Sequence, residues 1–171
     1  MNNNEIMIEL RDNLDMETID MAEIFNLGDY EITEDELLKM FKGDEYSSEE
    51  ETSAAIAMGE YLKCDNVALE SFLNGFIILK RGKQEPKEGQ SEKPPLAIKS
   101  RKSVNNVILK KLKIAFSLTN DDMVDLFKVS GIYVSKGDLT TYFRKEGHKH
   151  YKRCTDEYLK GFLKGLATQN K

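Results

Sequence analysis

Two segments of this chain carry one pattern of residues. With a shift of 102, residues 3–43 lie over 105–145, and with a shift of 90, residues 61–75 lie over 151–165. Identical pairs include Asn3, Asn4, Ile6, Leu10, Asp20, Met21, Phe25, Leu37 and Phe41 with Asn105, Asn106, Ile108, Leu112, Asp122, Met123, Phe127, Leu139 and Phe143, then Tyr61, Cys64, Leu69, Phe72, Leu73 and Gly75 with Tyr151, Cys154, Leu159, Phe162, Leu163 and Gly165. A solenoid needs three or more copies, so we expect two copies to pack as a pair around a pseudo-twofold axis.

Each copy predicts four short helices. The first shows apolar residues at helical spacing, Ile6 and Leu10 in one copy and Ile108 and Leu112 in the other. Thr33-x-x-Glu36 and Ser135-x-x-Asp138 predict capping boxes at the third helix, and Asp65 and Thr155 are suitable N-caps for the fourth. Ser71 and Gly75, or Gly161 and Gly165, put small residues four apart in the fourth helix. We expect another backbone to approach there, with the two fourth helices packing on each other across the axis.

The two copies differ strongly in charge. Residues 1–82 hold 6 Lys and Arg against 20 Asp and Glu, a net −14, whereas residues 101–171 hold 15 against 7, a net +8. Between them, KQEPKEGQSEKPP (83–95) contains all three prolines and almost nothing apolar, which predicts a flexible linker at about 83–100. The first copy also has twelve extra residues in an acidic insertion at about 44–60, read as a solvated loop or an extra short helix. The charge split suggests an electrostatic partner, and that partner can be the other copy.

Three stretches resemble a known family. NNVILKKLKIAFSLTNDDM (105–123), SFLNGFIILKRGK (71–83) and YFRKEGHKHYKRC (142–154) are similar to the YehS-like bacterial proteins, which consist of two copies of the domain of unknown function 1456. The resemblance covers nearly the whole chain. It implies an intracellular bacterial protein with an all-helical fold, no established activity and no known catalytic residues.

Motifs for catalysis or phosphate binding do not occur. The chain lacks Gly-x-Gly-x-x-Gly, a Walker-type Gly-Lys-Ser/Thr, His-Glu-x-x-His and Gly-x-Ser-x-Gly. The acidic pair Asp121–Asp122 and the run 34–36 fall at predicted helix starts, where carboxylates interact favourably with the helix dipole. We therefore expect no enzyme and no cofactor.

Both histidines and a cysteine lie close together in sequence. His148, His150 and Cys154 are metal ligands by residue type, but structural zinc needs four ligands, and the first copy has no histidine. Cys64 and Cys154 occupy equivalent places before the fourth helix, which favours a packing role for both. We expect no metal site.

A basic face in the second copy is the candidate for nucleic-acid binding. The segment 121–145 reads as helix, turn, helix, and cations flank it. The candidate binding residues are Lys110, Lys111, Lys113, Arg144, Lys145, His148, Lys149, His150, Lys152 and Arg153. Such clusters can neutralise phosphates, yet the first copy folds without them and the overall pI is near 5.2.

These observations predict an all-α protein of two tandem four-helix repeats joined by a flexible linker. The predicted function is a non-catalytic protein-interaction module of the bacterial cytoplasm, since no segment is a secretory signal or a membrane span. Nucleic-acid or ribosome association through the second repeat is the alternative. A homodimer through complementary acidic and basic repeats is a further possibility.

Overall fold

The fold is taken from a computed structural model, which describes residues 1–83 and 96–169. These residues form nine α-helices and no strand, so the prediction of an all-α fold is confirmed. The helices are α1 (Asn3–Asn13), α2 (Thr18–Leu27), α3 (Glu34–Met40), α4 (Glu49–Ala57), α5 (Asn66–Arg81), α6 (Val104–Ala115), α7 (Asn120–Val129), α8 (Lys136–Tyr142) and α9 (Asp156–Gln169), with short 3-10 helices at Gly43–Glu45 and Arg101–Ser103. In the described part of the chain, no helix is long and apolar enough to cross a bilayer.

The predicted capping boxes form at the starts of α3 and α8. The Thr33 hydroxyl accepts from the Glu36 N–H at 3.1 Å, and the Glu36 carboxylate accepts from the Thr33 N–H at 3.1 Å. Ser135 and Asp138 repeat both bonds at 3.0 and 2.9 Å. Each cap satisfies backbone donors that the helix leaves free, a contribution of about 1 kcal/mol. These caps let helices of only seven residues form at fixed places.

Each half contains a pair of aromatic rings at its centre. The rings of Phe25 and Phe72 lie 5.1 Å apart between α2 and α5, and those of Phe127 and Phe162 lie 5.4 Å apart between α7 and α9. All four side chains are fully buried. Tilted ring pairs at this separation add about 0.5–1.5 kcal/mol to the burial of their apolar surface. The second and last helices of each half therefore form its core.

Glycines in the last helices allow two backbones to approach closely. A Cβ atom on Gly75 would lie 1.8 Å from the Ile24 carbonyl oxygen, and one on Gly165 would lie 2.2 Å from that of Leu126. The close approach was predicted, but the partner was wrong. Gly75 faces α2 and Gly165 faces α7 of the same half, whereas across the axis α5 packs on α6 and α9 packs on α1.

The two halves pack reciprocally. Helix α1 of the first half lies against α9 of the second, and α6 of the second lies against α5 of the first. Such reciprocal pairing is what a pseudo-twofold relation between halves requires. The expectation that α5 and α9 form the main contact across the axis is corrected by this arrangement.

The acidic insertion forms a short helix rather than a solvated loop. Ser48 caps α4 by accepting a hydrogen bond from the Glu51 N–H, and Glu49, Glu50 and Glu51 occupy its first turn. Only Ala55 of this helix is buried, and the rings of Tyr46 and Tyr61 lie 5.3 Å apart beside it. Carboxylates at the positive end of a helix are favourable, so the acidic run stabilises α4.

The predicted linker falls mostly outside the described residues, which omit 84–95. Its end at 96–100 is described, and there the backbone N–H groups of Ala97 and Ile98 donate to the Glu70 carboxylate at 2.7 Å each. Ile98 is buried. The chain is therefore anchored to α5 just before the second half begins.

Candidate functional site: the basic segment

The residues between α8 and α9 carry most of the predicted basic face. We call residues 144–153 the basic segment. Its two ends are held by one buried amide, because Asn106 Nδ2 donates to the Tyr142 and Lys152 carbonyls at 3.0 and 2.8 Å. Asn106 Oδ1 accepts from the Cys154 N–H at 2.9 Å. One side chain on α6 thus fixes where the segment leaves the core and where it returns.

The same device occurs in the first half. Asn4 donates to the Met40 and Leu62 carbonyls and accepts from the Cys64 N–H, at 2.8 to 2.9 Å. Both asparagines are buried and fully bonded. Between these anchors the first half carries its acidic insertion and the second half its basic segment. The two halves therefore present opposite charge at equivalent places.

The charged side chains of the basic segment face solvent. Those of Arg144, Lys145, His148, Lys149, His150, Lys152 and Arg153 are all exposed. None of them forms an ion pair with any other described residue. The one acid in the segment, Glu146, accepts a hydrogen bond from the Ser100 hydroxyl at 2.8 Å. The positive charge of the segment is consequently not neutralised by the described carboxylates of the acidic half.

The two histidines lie side by side on this surface. Their ring centres are 5.6 Å apart, and His148 Nδ1 accepts from the His150 backbone N–H at 3.0 Å. Cys154 does not share this surface. Its side chain is buried, and its Sγ lies 3.6 Å from the Thr155 carbonyl oxygen. Among the described residues, no group of three His, Cys, Asp or Glu side chains is placed to hold a metal ion.

The cysteines have the packing role predicted for them. Cys64 is 2% and Cys154 0% exposed. Burial raises the pKa of each thiol from 9.0 to about 12, and the neighbouring carboxylates Asp65 and Asp156 act in the same direction. A thiol held neutral in this way is a poor nucleophile and a poor metal ligand.

The three lysines of α6 separate into different environments. Lys110 is exposed. Lys113 donates to Asn120 Oδ1 at 2.8 Å and lies 5.0 Å from the ring centre of Phe143. Lys111 points into the contact with the first half, where its side chain is 14% exposed. Lys111 therefore does not belong to the solvent-facing surface.

Lys111 meets a buried carboxylate that the sequence reading did not single out. Its Nζ lies 3.7 Å from Glu70 Oε2 and donates to Asn74 Oδ1 at 2.6 Å. Glu70 is 1% exposed. Burial lowers the pKa of Lys111, and the nearby negative charge of Glu70 opposes that shift. A charged residue within the mostly apolar helical stretch VALESFL (67–73) was the sequence signal that could have pointed to Glu70.

A second polar contact joins the halves near the start of α1. Arg101 donates to Asn3 Oδ1 at 3.1 Å, and Asn3 Nδ2 donates to Asn66 Oδ1 at 2.9 Å. In the second half, Asn105 donates to Asp156 at 2.8 Å, and Asp156 also accepts from the Met1 amine. The amine lowers the pKa of Asp156 through that hydrogen bond. Arg101 of the second half thus bonds to the Asn3–Asn66 pair of the first, and the Met1 amine of the first half bonds to the Asn105–Asp156 pair of the second.

Helix α8, the second helix of the helix–turn–helix segment, presents little positive charge of its own. Helix α8 has seven residues, and its one cation, Lys136, pairs with Asp121 at 2.8 Å on the surface. Tyr133, in the turn between α7 and α8, is 79% exposed. The free cations therefore follow α8 rather than lie on it.

This geometry defines a class of protein. It is an all-helical chain whose two halves are anchored in the same way, and one half is acidic and the other basic at the surface. The family model described as "Protein of unknown function (DUF1456)" matches residues 3–82 and 105–171, and the chain belongs to that family. It is 32% identical over 169 residues to the "Uncharacterized protein YehS" of Escherichia coli (strain K12), covering 99% of this chain and 96% of that protein. No solved structure matches the chain.

Proposed function

We propose that this protein is a non-catalytic binding protein of the bacterial cytoplasm that holds an acidic partner on its basic segment. The observation that carries the proposal is the exposure of the segment's cations, which have no carboxylate partner among the described residues. Two cations of the second half, Lys111 and Arg101, contact polar groups of the first half, and neither belongs to the basic segment. The charge of the segment is therefore available to another molecule.

The expected affinity follows from the exposure of these charges. A solvent-exposed ion pair contributes about 0–1 kcal/mol, so a few such pairs support weak binding at physiological salt. Complementary charge acts mainly on the rate and orientation of association. Binding should therefore be clear at low salt and weaken as salt is added.

A protein with an acidic surface is the first candidate partner. The segment contains no aliphatic side chain, so it offers mainly charge to a partner. Asn106 fixes the two ends of its backbone, which limits the backbone entropy lost on association. The acidic half of a second copy carries the same complementary charge, and the oligomeric state at two salt concentrations separates it from a different protein.

Nucleic acid is the second candidate, favoured by one further observation. The exposed rings of His148 and His150 lie 5.6 Å apart beside the cations, an arrangement suited to stacking on unpaired bases next to phosphate contacts. The acidic first half would repel a long duplex, which makes a short single strand the better probe.

The test compares two neutralised variants in a native bacterial lysate. R144Q/K145Q/K149Q/R153Q removes four charges from the basic segment. K99Q/K128Q/K160Q/K164Q removes four exposed charges elsewhere. We expect the wild type and the second variant to capture the same partner and the first variant to lose it. Equal capture by both variants would contradict the proposal.

A single-stranded RNA probe measured by fluorescence anisotropy distinguishes the candidates. Affinity that falls steeply between about 50 and about 200 mM salt, and disappears in R144Q/K145Q/K149Q/R153Q, favours nucleic acid. Retained protein capture without RNA binding favours the protein partner.

A further inference from the structure

A shallow apolar groove lies at the junction of the two halves, on the side of the acidic one. It has a volume of about 250 Å³, and Leu14 and Phe116, the C-cap residues of α1 and α6, both line it. The ring of Phe116 meets that of Phe76 at 5.4 Å in its floor. Pockets that enclose a whole small ligand measure about 300–1,000 Å³, so this groove suits one or two side chains of a larger partner.

Large aliphatic side chains stand exposed at its edge. Leu27 at the end of α2 is 41% exposed and Leu79 near the end of α5 is 55% exposed. Single exposed leucines are common, but two that border an aromatic floor form a continuous apolar surface. Covering such a surface releases water and is favourable.

Carboxylates surround this apolar surface. Asp15, Asp20 and Glu23 line the groove and are all exposed. The one cation among the described lining residues, Lys80, has its Nζ 5.6 Å from the ring centre of Phe76 and 5.5 Å from that of Phe116. Three acids against one ammonium leave the rim negative. A complementary partner therefore combines aliphatic side chains with positive charge.

Two segments of this chain lack that chemistry. Residues 84–95, QEPKEGQSEKPP, contain no aliphatic or aromatic side chain. The basic segment of a second copy has cations but no aliphatic side chain. The groove's complement is thus found in neither.

We propose that this groove is a docking site for a basic amphipathic helix of a partner protein. Aliphatic side chains spaced three or four residues apart on that helix enter between Leu27 and Leu79, and its lysines or arginines face Asp15, Asp20 and Glu23. The site is separate from the basic segment and independent of the function proposed for it. It gives the acidic half a recognition surface of its own.

The experiment measures binding of a model peptide by isothermal titration calorimetry with the full chain. The probe contains only leucine and lysine at the spacing of an amphipathic helix, and its matched control has glutamine in place of lysine, so that neither peptide is attracted to the basic segment. We expect the lysine peptide to bind and the glutamine peptide not to bind. Equal affinity of the two peptides, or no binding of the lysine peptide, would overturn the proposal.

Variants locate the peptide on the surface. D20K/E23K reverses two rim charges, and L79S removes one apolar edge, each expected to weaken binding by about tenfold. E31K/E60K reverses two exposed carboxylates outside the groove and should change affinity less than about twofold. Each variant is first shown to melt near the wild-type temperature. Equal effects of D20K/E23K and E31K/E60K on peptide affinity would contradict the proposal. A protein that binds no peptide, but self-associates in a way that L79S abolishes, would also contradict it.

Discussion

Lys111 Nζ of α6 lies 3.7 Å from Glu70 Oε2 of α5, inside the contact between the acidic and basic halves. Glu70 also accepts two backbone hydrogen bonds from the chain that enters the second half. One carboxylate therefore connects three parts of the molecule: the last helix of the first half, the first helix of the second, and the end of the segment between them.

We expect Glu70→Gln to lower the free energy of unfolding by about 3 kcal/mol, because it leaves the Lys111 ammonium without its counter-charge. Lys111→Met should cost less, since the carboxylate keeps its two N–H donors. Urea unfolding of both variants and of the double variant measures the coupling. Strictly additive losses would show that the two side chains do not interact.

Two glycine-to-alanine substitutions should show whether a glycine is needed for the close approach of two backbones or only lowers helix propensity. Gly75→Ala is expected to destabilise the protein by more than about 3 kcal/mol, because its Cβ would overlap the Ile24 carbonyl of α2. Gly137→Ala, in α8, places its Cβ 3.6 Å from the nearest atom, Ser135 Oγ, and should stabilise by about 0.5–1 kcal/mol. Thermal melting compares the two, and a loss of stability in both would contradict this account.

Alkaline pH should weaken the fold through the buried thiols. Their pKa is about 12 in the folded chain against 9.0 as the ordinary value, so the unfolded chain loses the protons first. Stability is therefore full below about pH 9 and falls as pH rises above it, by up to about 1.4 kcal/mol per pH unit for each thiol. Urea unfolding under reducing conditions at about pH 8 and about pH 10 measures the slope. Cys64→Ala should reduce it, and an unchanged slope would refute the assignment.

Substituting a buried asparagine should loosen the segment whose ends it holds rather than the whole chain. Asn106→Ala removes three hydrogen bonds that fix the ends of the basic segment, and we expect a loss of about 3 kcal/mol. Hydrogen exchange should show faster amide exchange in residues 144–154. Asn4→Ala is the matched variant and should instead affect residues 41–64. Uniform acceleration across the chain in either variant would indicate a global effect.

Local features of the fold could be predicted from the sequence because their causes are local. Thr33 and Ser135 cap their helices through residues three positions away, and helical spacing placed Leu10 and Leu112 in the core. The partner of Gly75 could not be predicted, because a small residue marks a close approach without naming the backbone that approaches. For the same reason, the predicted packing of α5 on α9 was wrong.

The cations of the candidate site could likewise be predicted only in part from the sequence. Sequence grouped Lys111 with Arg144 and Lys149 because all are cations of the second half. The structure buries Lys111 against Glu70 and leaves the other two exposed. Glu70 itself was missed because nothing in its neighbouring residues shows that a cation lies opposite.

The sequence by itself determined the helices, their caps, the equivalence of residues such as Asn4 and Asn106, and the opposite charges of the two halves. These depend on residue type and on spacing over a few positions. Only the tertiary structure decided which charges face each other and which face solvent, and which helices meet across the axis. Those outcomes depend on the packing of segments far apart in the chain, where one rotation of a helix moves a lysine from the surface to a buried contact.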